Sequence, residues 1–278
     1  MIVDACVCGE GRIFTTLIRY ENETIFAAYE GLAIIRCTKC GLLKTSGNYK
    51  RINSKVSNTD FYESNQPIFS NYFRDVVERI CRYQRSGRVL DVGCASGICM
   101  RVLSQNGFSV YGIEPNRTAY KIVKQKFPDM VFPLTLKKLW LTKKLRFHTI
   151  IYNHVLEHIP DIRNEFSYIH KALLPGGLLV IGVPNSANLV FWLRGKYWES
   201  LLPNQHIWHF STKYLVQYLT SQGFTIFETS YNNHLRQDYP LVKRLYFKLL
   251  TILNTLFSTG EAVVIFAKKK ESQSQGYP

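Results

Sequence analysis

Val89-Leu90-Asp91-Val92-Gly93-Cys94-Ala95-Ser96-Gly97 is the stretch whose reading decides the fold. An apolar run, Arg88 to Gly93, reads as a buried strand and leads into two glycines four positions apart. A helix is predicted to follow over Ile98 to Gln105, ending near Gly107. Glycine has no Cβ, so a ligand can approach the backbone of such a turn closely. In open α/β sheets that turn lies where ligands bind, outside the carboxyl ends of the strands.

The pattern continues on both sides. Upstream, Tyr72, Phe73, Val76, Val77 and Ile80 recur at helical spacing within Tyr72 to Tyr83. Downstream, strands are predicted at Phe108 to Ile113, His148 to Asn153 and Gly177 to Val183. Helices are predicted between them at Thr118 to Phe127 and Phe166 to Leu173. Ser211 to Gln222 reads as an amphipathic helix with a serine N-cap, and strands follow at Phe224 to Thr229 and Glu261 to Ala267. Strands alternating with helices predict an α/β fold with a doubly wound, mostly parallel sheet. Glu114 ends the second strand, 21 residues after Gly93. A carboxylate there can accept both ribose hydroxyls of an adenosine, an arrangement shared by NAD-binding and methyl-transferring folds.

These residues resemble motif I of the class I S-adenosylmethionine-dependent methyltransferases, of the type 11/23-like group, with Asp91, Gly93 and Gly97 in matching places. Tyr152 to Asp161, with Glu157-His158-Ile159-Pro160, resembles the segment after that family's fourth strand, and Leu173 to Val180, with Pro175-Gly176-Gly177, its turn into the fifth. The resemblance covers roughly residues 70 to 270. It implies a seven-stranded Rossmann-like sheet and S-adenosylmethionine as cofactor, contacted by Asp91, Gly93, Cys94, Gly97, Glu114, Pro115 and Asn153. Two departures stand out. Ala95-Ser96 replaces a third glycine, and the NAD fingerprint G-x-G-x-x-G is absent. Val131 to Lys144 is apolar and basic, with His148 where an aspartate commonly begins the strand, which leaves the adenine contacts unassigned.

The first 50 residues hold two cysteine pairs, Cys6-Val7-Cys8-Gly9 and Cys37-Thr38-Lys39-Cys40-Gly41. The second has zinc-knuckle spacing, and the first is a tighter variant. The pairs resemble an N-terminal ribbon carried by some relatives, which implies a structural zinc held by Cys6, Cys8, Cys37 and Cys40. Cys81, Cys94 and Cys99 read as ordinary buried cysteines. Thr24 to Tyr29 and Ala33 to Ile35 are β-prone, and Thr45 to Asn58 reads as a linker or covering loop. The expected division is a Cys-rich β module with linker over residues 1–55, a catalytic domain over 56–270 and a polar tail over 271–278.

Methyl transfer is a displacement at an activated carbon, so positioning and a proton acceptor carry the chemistry. His154 and His206 are the candidate bases, the latter in a family region that can fold over substrate. His158 reads as structural and Glu157 as a scaffold residue. Alternatively His154, Glu157 and His158, at i, i+3 and i+4, share a helical face and hold a divalent metal. Phe191, Trp192, Tyr197, Trp198 and Trp208 form either a substrate lid or part of the core.

The 278-residue chain carries a formal charge of +15, which favours anionic partners or is merely a solvated surface. Seven cysteines in this length do not make a secreted disulfide framework, and no signal peptide or spanning run is evident, so a cytoplasmic protein is expected. The expected substrate is a small molecule, such as a sugar, polysaccharide or lipid-linked intermediate; the alternative is RNA or another nucleic acid. Tyr239 to Phe257 is a basic amphipathic helix that packs on the sheet, meets a second subunit, or touches an anionic membrane peripherally. Oligomeric state is not legible.

Overall fold

The computed structural model describes residues 6–9, 13–21, 27–47, 64–232, 240–257 and 259–270. Three short strands come first: β1 (Phe14–Arg19), β2 (Leu32–Cys37) and β3 (Leu43–Gly47). Helix α1 (Gln66–Tyr83) starts upstream of its predicted position, with Pro67 in its first turn where a missing N–H costs nothing. Its predicted apolar positions Phe73, Val76, Val77 and Ile80 form the buried face.

The alternating region follows as β4 (Arg88–Val92), α2 (Ile98–Gln105), β5 (Ser109–Ile113), α3 (Arg117–Lys126) and β6 (Val131–Phe132). Then come α4 (Leu136–Lys143), β7 (Phe147–Asn153), a 3-10 turn at Leu156–His158, α5 (Ile162–Ala172) and β8 (Leu173–Pro184). The chain closes with α6 (Leu189–Arg194), β9 (Trp208–His209), α7 (Thr212–Ser221), β10 (Phe224–Asn232), α8 (Leu241–Leu256) and β11 (Ala262–Lys269). Side-chain caps start several helices: Asn116 accepts from Thr118 and Ala119, Asp161 from Asn164, and Ser211 from Tyr214.

Seven strands form one sheet in the order β10-β11-β8-β7-β4-β5-β6. Pairs β6–β5, β5–β4, β4–β7 and β7–β8 are parallel, and β11 runs antiparallel to both neighbours. One face buries Phe73, Ile80, Ile98, Met100, Leu103 and Val123 from α1, α2 and α3. The other buries Phe166, Ile169, Leu215 and Leu219 from α5 and α7. This is the doubly wound sheet of the sequence prediction.

The N-terminal strands do not stand apart. The four-stranded sheet β1-β2-β3-β9 is completed by β9, with Leu43 opposite His209 and Lys44 opposite Trp208. Thr45 Oγ1 donates to the carbonyl of His206 at 2.7 Å and lies 3.0 Å from His209 Nε2. Arg163 of α5 donates to the carbonyl of Val7 at 2.9 Å. Tyr20, Leu32, Ile34 and Leu43 pack with Val190, Phe191, Trp198 and Leu201 in a further apolar cluster.

Some expectations change. The β-prone run ending at Tyr29 closes in a 3-10 turn at Ala27–Tyr29, and its residues 24–26 lie outside the described residues. Thr45, read as linker, belongs to β3; the rest of that linker, from residue 48, and the tail 271–278 lie outside the described residues. Helix α8 does not bury its apolar side on the sheet: Leu241, Val242, Leu245, Leu249 and Leu256 are all more than half exposed. Among the described residues no helix is long and apolar enough to cross a membrane.

Candidate functional site

Strand register builds the site. Val92 of β4 pairs with Ile113 of β5 on one side and with Tyr152 of β7 on the other. The residues that follow, Gly93, Glu114 and Asn153, therefore stand in a row along the carboxyl edge. With neighbouring strands about 4.8 Å apart, the row spans about 10 Å. Gly93 and Gly97 have φ of +70° and +80°, a left-handed conformation that L side chains rarely adopt. A Cβ on Gly93 would stand 2.6 Å from Val155 Cγ2, so the segment after β7 lies directly against the turn.

Glu114 is 8% exposed, and its two oxygens accept from the backbone N–H groups of Ala95 (3.0 Å) and Asn116 (2.8 Å). A carboxylate has about four lone-pair directions, so both oxygens keep one for a pair of ribose hydroxyls. That suits the nucleoside of S-adenosylmethionine. Burial pushes the Glu114 pKa up, and the two N–H groups pull it back. Asp91 is 4% exposed, and burial, with the Glu114 charge beside it, pushes its carboxyl up to about 8. At the other end of the row, Tyr72 of α1 donates to Asn153 Oδ1 at 2.5 Å. A Cβ on Gly182 would stand 2.7 Å from that same oxygen.

Among the sequence-selected cofactor residues, Pro115 is exposed beside Glu114, and Cys94 turns its side chain inward. A Cβ on Gly112 would stand 2.7 Å from Cys94 Sγ, so only the Cys94 backbone faces the turn. His148 accepts from the Arg88 N–H at 3.1 Å, a structural use. Tyr72 escaped sequence reading: it lies 81 residues from its partner, and its position in α1 looked like ordinary core spacing.

Beyond β7 the chain bends sharply. His154 has φ of +54° and donates its N–H to the Gly182 carbonyl at 2.8 Å. The bend turns Glu157 inward to 1% exposure. His154 Nδ1 stands 3.5 Å from Glu157 Oε1, an ion-pair distance, and neither Glu157 oxygen has a hydrogen-bond partner among the described residues. Because the turn is 3-10 and His154 precedes it in a left-handed conformation, His154, Glu157 and His158 do not share the predicted helical face.

The third side of this cluster comes from the segment between β8 and β9. Ile207 donates its N–H to the Glu157 carbonyl (2.9 Å), and Trp208 Nε1 donates to the Ile159 carbonyl (2.9 Å). These bonds bring His206 against His158, ring centroids 4.8 Å apart. Glu157, His158 and His206 each offer a ligand atom within 4.8 Å of the others. Burial pushes the His206 pKa down to about 4 and that of His209 to about 3. Burial alone would raise the Glu157 pKa, but the close approach of His154, at 3.5 Å, with His158 and His206 nearby, holds it at about 2. Near neutral pH, then, a buried anion faces a neutral His206. The aromatic segment divides: Phe191, Trp198 and Trp208 are buried, while Trp192 is 70% and Tyr197 49% exposed.

The four N-terminal thiols also converge. Cys6 Sγ is 3.4 Å from Cys40 Sγ, Cys8 Sγ is 4.0 Å from Cys37 Sγ, and all four lie within 4.8 Å of one another. A tetrahedral zinc with bonds of about 2.3 Å sets its sulfurs about 3.8 Å apart, so the four thiols fit the ion. The Cys40 thiol is pushed down to about 5 by its contact with Cys6, which is correspondingly pushed up.

The sequence model of a family described as "Methyltransferase domain" matches residues 63–229. The ubiquinone biosynthesis O-methyltransferase of Alkalilimnicola ehrlichii is 26% identical over 130 residues, 44% of this chain and 53% of that protein. That of Bradyrhizobium sp. is 25% identical over 131 residues, 43% of this chain and 51% of that protein. The chain thus spans about half the length of these curated relatives. Among solved structures, a SAM-dependent methyltransferase from Archaeoglobus fulgidus superposes with a TM-score of 0.55 at 19% identity, covering 75% of this chain and 99% of that one. The N-methyltransferase NodS of Bradyrhizobium japonicum gives 0.51 at 14% identity, covering 74% and 99%. At these identities the structural likeness establishes the fold.

The buried Asp91 yields a signed pH prediction. A carboxyl raised from its ordinary value of 3.8 to about 8 stabilises the folded chain fully below about 4, and that contribution is lost as pH rises through about 8. Asp91→Asn cannot ionise. Its stability relative to the unmutated protein should therefore rise between about pH 5 and pH 8 in paired urea titrations. A constant difference across that range would show that Asp91 does not resist ionisation.

Proposed function

Because this chain belongs to the methyltransferase-domain family, we propose that it transfers the methyl group of S-adenosylmethionine to an oxygen of a small molecule. The observation that carries the reading is the row of Gly93, Glu114 and Asn153 along three paired strands. When bound, S-adenosylmethionine supplies an electrophilic methyl carbon on a sulfonium. Glu114 takes the ribose hydroxyls, the backbone of Gly93 to Gly97 with Cys94 lies against the nucleoside, and Pro115 flanks it. Asn153, steadied by Tyr72, bounds the far end, and Asp91 supports the turn from below. His154, 27% exposed at its side chain, is the proton acceptor for the attacking hydroxyl. His206, the other candidate base, is the weaker acceptor because burial lowers its basicity. The choice of oxygen is supported by the name of the curated relatives, O-methyltransferases. The RNA alternative draws its support from the +15 charge alone.

The reading is tested by calorimetry with S-adenosylhomocysteine. The unmutated protein should bind it, and Glu114→Ala should weaken binding about 10–100-fold, since two hydrogen bonds to a charged group at about 1.5–3 kcal/mol each are lost with partial compensation by water. No binding by the unmutated protein, or preferential binding of NAD, would overturn the assignment.

The N-terminal cysteines fit a structural zinc, which would tie Cys6 and Cys8 to the β2–β3 hairpin that carries Thr45 toward the site. The double variant Cys37→Ser, Cys40→Ser should contain about one zinc per chain fewer than the unmutated protein by elemental analysis. Equal zinc contents would remove the ion from the module.

The acceptor could be lipid-linked. Helix α8 packs Leu253 against the cluster of Val190 and Phe191, and beside it Trp192, Leu193, Leu245 and Leu249 are exposed. Arg244 and Lys248 on the same helix are exposed and cationic. Such a surface suits the face of an anionic membrane. The protein should sediment with phosphatidylserine-containing vesicles at low salt and be released at high salt. If it stays in the supernatant at low salt, the lipid-surface reading fails.

A further inference from the structure

Three side chains beside the proposed acceptor position are arranged in a way that proton transfer does not require. We propose that Glu157, His158 and His206 form a divalent transition-metal site, and that the ion holds the acceptor oxygen. Its role in acceptor binding rests on the methyltransferase reading; the ion site itself does not.

The first ground is orphaned polarity. Glu157 is 1% exposed and His206 5% exposed. Neither Glu157 oxygen nor His206 Nδ1 has a hydrogen-bond partner among the described residues. His154 at 3.5 Å is an incomplete partner for a carboxylate this buried, and a cation between these groups would offset the remaining cost of burial.

The second ground is orientation. Each histidine has one side bound to the main chain. His158 Nδ1 lies 3.0 Å from the Gln205 carbonyl, which fixes that nitrogen as a donor and leaves Nε2 with a lone pair. His206 meets a backbone group of Ser200, which leaves Nδ1 unpartnered. Metal-bound histidines are oriented in this way, through the second ring nitrogen. The ligand atoms lie within 4.8 Å of one another, close enough to surround one ion after small side-chain rotations.

The third ground is the donor set. Two imidazoles and one carboxylate suit zinc, iron, manganese or cobalt, and three protein ligands leave coordination positions open. The acceptor class that fits is a hydroxylated small molecule, with one or two neighbouring oxygens on the ion. The ion lowers the pKa of the bound hydroxyl. His154, adjoining the cluster, receives the proton as the oxygen–methyl bond forms and the sulfur–methyl bond breaks, leaving a neutral thioether.

Manganese is the probe, because thiolates hold it poorly and the cysteine cluster will not compete. The full chain, treated with a chelator and then dialysed, is titrated with Mn2+ while free Mn2+ is followed by electron paramagnetic resonance. One bound ion per chain is expected. Glu157→Gln and His206→Gln should each weaken binding by more than about 100-fold, beyond the cost of losing an outer-shell partner. S-adenosylhomocysteine affinity, measured on the same samples, should stay within about threefold. Absence of bound Mn2+ in unmutated protein that binds S-adenosylhomocysteine would overturn the metal site. So would Mn2+ binding that survives both substitutions. Mn2+ binding lost in both variants, in a chain that never binds S-adenosylhomocysteine, would keep the metal site and defeat the methyltransferase reading instead. If one variant fails to fold, the other and the unmutated protein still decide the matter.

Discussion

Everything at the site depends on the parallel register of β5, β4 and β7. Backbone hydrogen bonds set Val92 opposite both Ile113 and Tyr152, so three chain segments leave the sheet at one level. A one-residue slip would move every side chain of a strand to the opposite face. Val89 and Leu90 on β4, and Ile150 and Ile151 on β7, are buried on both faces, so a slip would break two cores at once. The core thus positions Glu114 and Asn153 as firmly as it holds the sheet together.

The N-terminal module extends this control to the opposite wall of the site. Through β3 it pairs with β9, and through Thr45 it grips the carbonyl of His206 and the ring of His209. A hydroxyl buried at 2% exposure is costly without partners, so its bonds both stabilise the contact and fix its geometry. The thiol cluster lies beneath Tyr214 and Tyr218 of α7, against the helix that follows β9. The module is therefore structurally continuous with the segment that supplies His206, although 161 residues separate Thr45 from it in sequence.

What the sequence disclosed follows from the range of the forces involved. The strand–turn–helix at Gly93 and the acid at Glu114 are local patterns: apolar runs, glycines and an end-of-strand carboxylate. They were legible, and so were the two cysteine pairs. The segment over residues 131 to 144 was not, because a two-residue strand and a helix of eight residues with three lysines carry too little periodicity. At Glu157 the residues were identified but their geometry was not. Helical spacing predicted a shared face, whereas the bend at His154, set by its N–H bond to Gly182, produced a 3-10 turn. The meeting of His206 with His158 and of Tyr72 with Asn153 depends on tertiary hydrogen bonds between distant segments, for which a single sequence has no local signal.

The charge distribution gives the +15 total a different meaning at the site. Many of the described lysines and arginines, among them Arg74, Lys121, Lys124 and Lys138, are exposed on helices, where their field is screened within about 8–10 Å. Inside, Asp91, Glu114 and Glu157 are each buried to 8% exposure or less on or just beyond β4, β5 and β7. Glu157, held ionised away from water, creates a local preference for positive charge that surface cations cannot cancel, whereas Asp91, pushed up to about 8, is neutral near pH 7. The proposed sulfonium cofactor and the proposed divalent ion would each answer that preference at separate points of one edge. An anionic polymer would meet the basic exterior but not this interior. The surface charge therefore bears on encounter and docking, and the buried acids on which ligands can be held where the chemistry occurs.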